Sequence, residues 1–148
     1  MPVLADFVVL NKKKADPSEE NGSFEHPYSI GAGSTGPFTH VFSTGGLQQG
    51  TGLLSMMVRR LTKGGPTGAG ARVAISSDLN GEENIGRLQP SAAADAEVWR
   101  QQQFLIGRNI MSPGSGEDNT LIIGRVEDGD GFDTFQVRDI VVYFHQAS

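Results

Sequence analysis

Apolar residues in this chain recur at every second position in short runs, and glycine, proline and asparagine separate the runs. The clearest case lies between Gly52 and Thr62. There Leu54, Met56 and Val58 fall on one face, with Ser55 and Arg59 on the other, the period of two that marks a half-buried strand. Arg72 to Ser76 alternates in the same way. Asn80-Gly81 after it is a hairpin signal leading into a short run from Ile85 to Leu88. Further strands are expected at Asp6–Leu10, Thr39–Ser43, Val98–Ile106 (with the polar centre Gln101-Gln102-Gln103) and Asn119–Val126. In Thr134–Phe144, Phe135, Val137, Val141 and Tyr143 are assigned to one face, and Ile140, Val142 and Phe144 to the other. A strand that becomes apolar on both faces is expected to be central or covered by a neighbour.

Between these runs the chain is polar or rich in glycine. Residues 11–23 read as a long polar loop or arm, and residues 31–37 and 63–70 as loops, the latter on the surface. Phe24 to Ile30 carries aromatics. Ser91 to Ala96 alone has helical propensity, and six residues make at most a turn. About eight strands with turn signals between them, and no amphipathic helix, predict an all-β chain. The expected fold is one antiparallel β-sandwich domain over residues 1–148, of the eight-stranded jelly-roll type.

Composition narrows the function classes. The chain has 148 residues, 37% hydrophobic and 20% charged, which suits a globular domain and is too apolar for disorder. It has no cysteine, so disulfides, thiolate zinc sites and cysteine nucleophiles are excluded. A net charge of −5 argues against nucleic acid as a partner, because phosphate contacts need an excess of basic residues. Lys12-Lys13-Lys14 is followed closely by Asp16, Glu19 and Glu20 and reads as a solvated loop. No run is long and apolar enough to span a membrane, and Met1–Leu10 is too short and too acidic for a secretory signal. With Met1 taken as the native start, synthesis in the cytoplasm is expected.

Few motifs carry chemistry. Gly31-Ala32-Gly33-Ser34-Thr35-Gly36 fits the dinucleotide spacing but lacks the strand before it and the helix after it that hold a pyrophosphate. The histidines His26, His40 and His145 have no ligand spacing, and neither Ser34 nor Ser115 lies in a nucleophile elbow. No carboxylate pair stands out, so no catalytic residue and no cofactor are assigned. The loop Glu127–Asp133 is the main polar cluster. Asp128, Asp130 and Asp133 offer the oxygen donors that calcium takes, without the EF-hand spacing, and a solvated turn is the plainer reading.

The order of features from Leu47 to Phe144 resembles the galactose-binding-like jelly rolls, the fold of many carbohydrate-binding modules. An alternating strand ends in a basic residue (Leu54-Ser55-Met56-Met57-Val58-Arg59), and a short strand with a small-residue turn follows (Val73 to Gly86). Trp99 opens a later strand, Asn119 to Ile123 forms the next, and Phe135 to Val142 closes the set with an aromatic and an aspartate before apolar residues. The resemblance implies a β-sandwich and, for function, sugar binding through aromatic platforms. The 8 Phe, 2 Tyr and 1 Trp mostly occupy positions that core packing explains. Trp99 reads as a core anchor, and Tyr28 as the better candidate for an exposed ring.

Two functional expectations result, and both are non-enzymatic. The first is a structural or assembly subunit, such as a phage virion decoration or accessory protein. It rests on the polar arm and on sheet edges that a neighbour can cover, with protein partners in a homo-oligomer or larger particle. The alternative is a lectin-like carbohydrate-binding module, its glycan held by Tyr28, Arg59, Gln101 and Gln103. Amides and guanidinium groups suit sugar hydroxyls, although the polar outer faces of sandwiches look alike.

Overall fold

The computed structural model describes residues 3–10, 12–13, 20–21, 28–30, 37–44, 51–62, 71–79, 81–113, 119–124 and 134–147. They form two antiparallel sheets packed face to face. The first runs β1 (Val3–Val9), β11 (Phe135–Ala147), β6 (Gly52–Arg59), β9 (Arg100–Ile106), and the short β4 (Tyr28–Ile30) also pairs with β11. The second runs β5 (Phe38–Phe42), β10 (Asn119–Ile123), β7 (Arg72–Ser77), β8 (Gly81–Arg87). Apart from the β7–β8 hairpin, neighbours in each sheet are not consecutive in the chain, as in a jelly roll. Nine strands build the two layers, the eight that the alternation implied and the short β4. Among the described residues no helix is long and apolar enough to cross a membrane.

The inward faces supply the core. Leu54, Met56 and Val58 of β6 meet Val73 and Ile75 of β7 and Leu121 and Ile123 of β10, all of them buried. Burying a side chain such as Ile75 or Leu121 is worth about 1.5–3 kcal/mol relative to exposure, so the alternation of β6 and β10 accounts for their pairing face to face. Asn119 is a buried polar exception with its partners in place. Its Oδ1 accepts from the Ser112 N–H at 2.7 Å and its Nδ2 donates to the Ser112 carbonyl at 3.2 Å, while Thr44 Oγ1 donates to that same carbonyl at 3.1 Å.

Two local expectations are corrected, and two others hold. Residues 11–23 were expected to be a loop or arm, but β2 (Lys12–Lys13) pairs with β3 (Glu20–Asn21) in a two-stranded ribbon. The expected hairpin after β7 forms, with its second strand starting at Gly81. Ser77 pairs with Gly81, so Glu82 and Glu83 lie on an exposed edge strand, and Gly81 takes φ +69°, where a Cβ is costly. The helical stretch is one 3-10 turn, Ala93–Asp95.

The second correction concerns β11. Its register against β6 shifts between Arg138 and Val141, and Asp139 takes φ +51°. This bulge reverses the phase of the strand. Phe135 and Val137 point inward before it, and Ile140, Val142 and Phe144 point inward after it, all five buried. Val141 and Tyr143 therefore do not share a face with Phe135 and Val137. The strand is central, as its two apolar faces implied, with β6 on one side and β4 and β1 on the other.

Candidate functional site

The outward face of the five-stranded sheet brings together side chains from four strands. Register places Phe7 of β1 opposite Tyr143 of β11, Tyr143 opposite Leu53 of β6, and Leu53 opposite Leu105 of β9. Phe7, Tyr143 and Leu105 are exposed by 59%, 45% and 67%, so this row is an apolar stripe in contact with solvent. The rings of Phe7 and Tyr143 lie 6.2 Å apart and tilted. A hollow of about 310 Å³ opens beside the row, lined by Asp6, Thr51, Leu53, Leu105, Tyr143 and His145.

Along the strands the chemistry changes row by row. The next row is Val9, Val141, Ser55 and Gln103, and the one after it contains Arg138, Met57 and Gln101. Gln101 Nε2 donates to Ser55 Oγ at 2.9 Å, which fixes one amide between rows. Beyond them lies the pair Gln136 and Arg59, with Arg59 Nε donating to Gln136 Oε1 at 2.8 Å and Gln136 Nε2 reaching Ser29 Oγ at 3.4 Å. The four rows extend about 20 Å along the strands and about 14 Å across them, from ordinary strand rise and spacing.

The far end of the face is a block of three arginines and two carboxylates around Trp99. The guanidinium carbons of Arg59 and Arg138 lie over the indole, 4.5 and 4.6 Å from its centroid. Arg138 contacts the carboxylate of Asp139. Glu97 accepts from Arg60 through both oxygens, at 2.9 and 3.0 Å, and lies 3.8 Å from Arg59 Nη1. The hydrogen bonds from Arg60 hold the Glu97 carboxyl below the usual carboxylate range against a small desolvation, with the charges of Arg60 and Arg59 adding to the effect. The Arg60 guanidinium is raised by the same pairing.

The expected ligand residues are distributed unevenly. Arg59, Gln101 and Gln103 do share this face. Gln102 does not. It points the other way, where its amide exchanges hydrogen bonds with the backbone of Gln89 at 2.8 and 3.1 Å. Tyr28 is not an exposed ring. It takes an inward position on β4 opposite Val137, is 8% exposed, and packs its ring 4.6 Å from Phe38. Trp99, expected to be a core anchor, is half-buried and lies under two arginines instead. Asp128, Asp130 and Asp133 lie outside the described residues. Among the described residues no group of three or more histidine, aspartate or glutamate side chains is placed to hold a metal. Phe7, Tyr143, Leu105 and Gln136 join the face without having been anticipated. Their signal is the cross-strand register, which single-strand periodicity does not contain.

No protein-family model matches the sequence, and no curated protein does. Among solved structures the chain is similar to a family 29 carbohydrate-binding module from Piromyces equi, with a TM-score of 0.55, 11% identity, and coverage of 95% of this chain and 91% of that one. It is also similar to a second family 29 module, with a TM-score of 0.50, 12% identity, and coverage of 98% and 91%. At these identities the shared property is the fold. The expectation of a virion decoration or assembly subunit is corrected by this result, because these two solved structures, which share the architecture over nearly the whole chain, are carbohydrate-binding modules. The chain has the jelly-roll β-sandwich fold of carbohydrate-binding modules.

Proposed function

We propose that the chain binds a neutral polysaccharide on the outward face of its five-stranded sheet and does so without turning it over. The observation that carries this reading is the juxtaposition of the exposed Phe7–Tyr143–Leu53–Leu105 row with the amides of Gln103 and Gln101 on one continuous surface. Sugar rings present apolar C–H faces and polar hydroxyl edges, so a ligand of that kind needs an aromatic surface and fixed donors and acceptors side by side. The charges at the far end support a neutral ligand. Glu97 is engaged by Arg60 and Asp139 by Arg138, while the third cation, Arg59, is held by Gln136 and the Trp99 indole, so each charge there already has a partner within the chain. The pairing with Arg60 also holds the Glu97 carboxyl ionised, which makes it a poor proton donor and favours binding over hydrolysis.

Native electrophoresis through gels containing soluble neutral polysaccharides tests the proposal. Retardation by at least one polymer, relative to a non-binding marker protein, is the expected result, with no reducing ends released. Unchanged mobility across a broad panel would overturn it. Repeating the gels in EDTA and in calcium reads the proposal that Asp128, Asp130 and Asp133 hold a calcium ion.

A further inference from the structure

A second concavity borders that face across β9, with Gln101 and Gln103 in the lining of both. It is a groove of about 690 Å³ between β8 and β9, where the outer edges of the two sheets approach each other. Phe104 forms its floor. The ring lies so close to β8 that a Cβ on Gly86 would come within 2.6 Å of it, so glycine at that position is what lets the ring rest against the strand. Gln102 closes one end by clasping the Gln89 backbone, which brings Gln89 and Pro90 against β9. Arg87 lines one wall and Arg100 the other. Among the described residues the lining contains no aspartate or glutamate.

We infer that the groove is a separate site for a carboxylate-bearing saccharide unit, a uronic acid residue, with its carboxylate on Arg100 and Arg87 and its apolar face on Phe104. The guanidinium fork matches a carboxylate through two parallel hydrogen bonds, and an aromatic floor beside amides suits a sugar ring. The anionic part of the assignment rests on the groove alone, and the saccharide part rests on the carbohydrate-binding reading. The net charge of −5 makes diffuse attraction to a polyanion unfavourable, so binding of one would report a local site.

The test is affinity electrophoresis of the full chain against polygalacturonate, its fully methyl-esterified form and dextran sulfate. Wild type, Arg100→Gln, Arg87→Gln and Tyr143→Ala proteins are compared, each checked by thermal unfolding. Polygalacturonate is expected to retard the wild type, and each arginine variant to weaken that interaction about tenfold or more, the usual consequence of removing a charged hydrogen-bond donor. Esterification should abolish it and Tyr143→Ala should leave it intact. Equal retention by the esterified polymer or by dextran sulfate would overturn the carboxylate assignment, as would folded arginine variants that bind polygalacturonate like wild type. Loss of neutral-polymer binding alone in Tyr143→Ala separates the two sites. A wild type retarded by polygalacturonate and by no neutral polymer would sink the outward-face proposal and leave the groove standing.

Discussion

Replacing Tyr143 by alanine, and in a second variant Trp99 by alanine, separates the proposed binding face from the indole at its far end. Tyr143 is 45% exposed, and its ring shares the outward stripe with Phe7. An aromatic side chain offers roughly 200 Å² of surface, so the exposed share of Tyr143 is about 90 Å², of which a saccharide lying on the ring covers about half or more. At about 25 cal/mol per Å² the lost contact is about 1–2 kcal/mol. Binding should therefore weaken about fivefold to thirtyfold in Tyr143→Ala. Stability should hardly change, because an exposed side chain leaves little cavity.

Trp99→Ala should show the opposite pattern. Arg59 and Arg138 already lie over the indole, so a ligand gains little from it. Each cation–π contact is worth about 0.5–2 kcal/mol, and their loss should lower stability while affinity falls less than in Tyr143→Ala. Isothermal titration against the polymer that retards the wild type gives the affinities, and circular dichroism gives the melting temperatures. Should Trp99→Ala lose binding at wild-type stability while Tyr143→Ala binds normally, the assignment of the platform is refuted.

Three further outcomes are expected. Asn119→Leu strands the buried Ser112 N–H and should cost about 1–3 kcal/mol, lowering the melting temperature by roughly 2–12 °C for a chain of this size; a shift below a degree would show that the amide pair is dispensable. Glu97→Gln should lower the melting temperature at neutral pH and match the wild type in acid. The folded pKa of Glu97 is depressed, so its contribution is present above the ordinary glutamate range, near pH 4, and lost as pH falls through the depressed value; melts from pH 7 to pH 2 check the convergence. Gly52→Ala should destabilise by about 1–3 kcal/mol, because the new methyl meets the Tyr143 carbonyl oxygen at 2.9 Å and a backbone atom cannot move aside; denaturant unfolding reads the difference.

The fold was legible in the sequence because each long strand carries its own alternation. Leu54, Met56 and Val58 had to share a face, and they do. The polar run in β9 showed which strand would expose amides, and Gln101 and Gln103 emerge on one side as a period of two demands. The site was legible only in part. Tyr28 looked exposed because it follows a polar stretch and precedes a glycine-rich one, yet three residues of strand suffice to turn it against Val137 and Phe38. Trp99 looked buried because tryptophan is large and apolar. What moves it outward is the register that sets β9 beside β6, with Val58 opposite Arg100, so that the guanidinium of Arg59 meets the indole.

The bulge in β11 connects the core to the proposed face. Had the phase of Phe135 and Val137 continued, Asp139 would point into the core, and Ile140, Val142 and Phe144 would face water. Burying an uncompensated carboxylate and exposing three large apolar side chains are both costly. One residue in the left-handed region removes both costs, and aspartate is among the side chains that tolerate it. The same shift decides where Tyr143 points. In the uninterrupted phase it would be an inward residue, and after the bulge it stands outward between Phe7 and Leu53. The aromatic row is thus a consequence of how the core is satisfied, which is why neither the residue types of β1 nor those of β11 announced it. The spacing of Val137 and Ile140, three apart in a strand otherwise paced by two, is the one mark it leaves in the sequence.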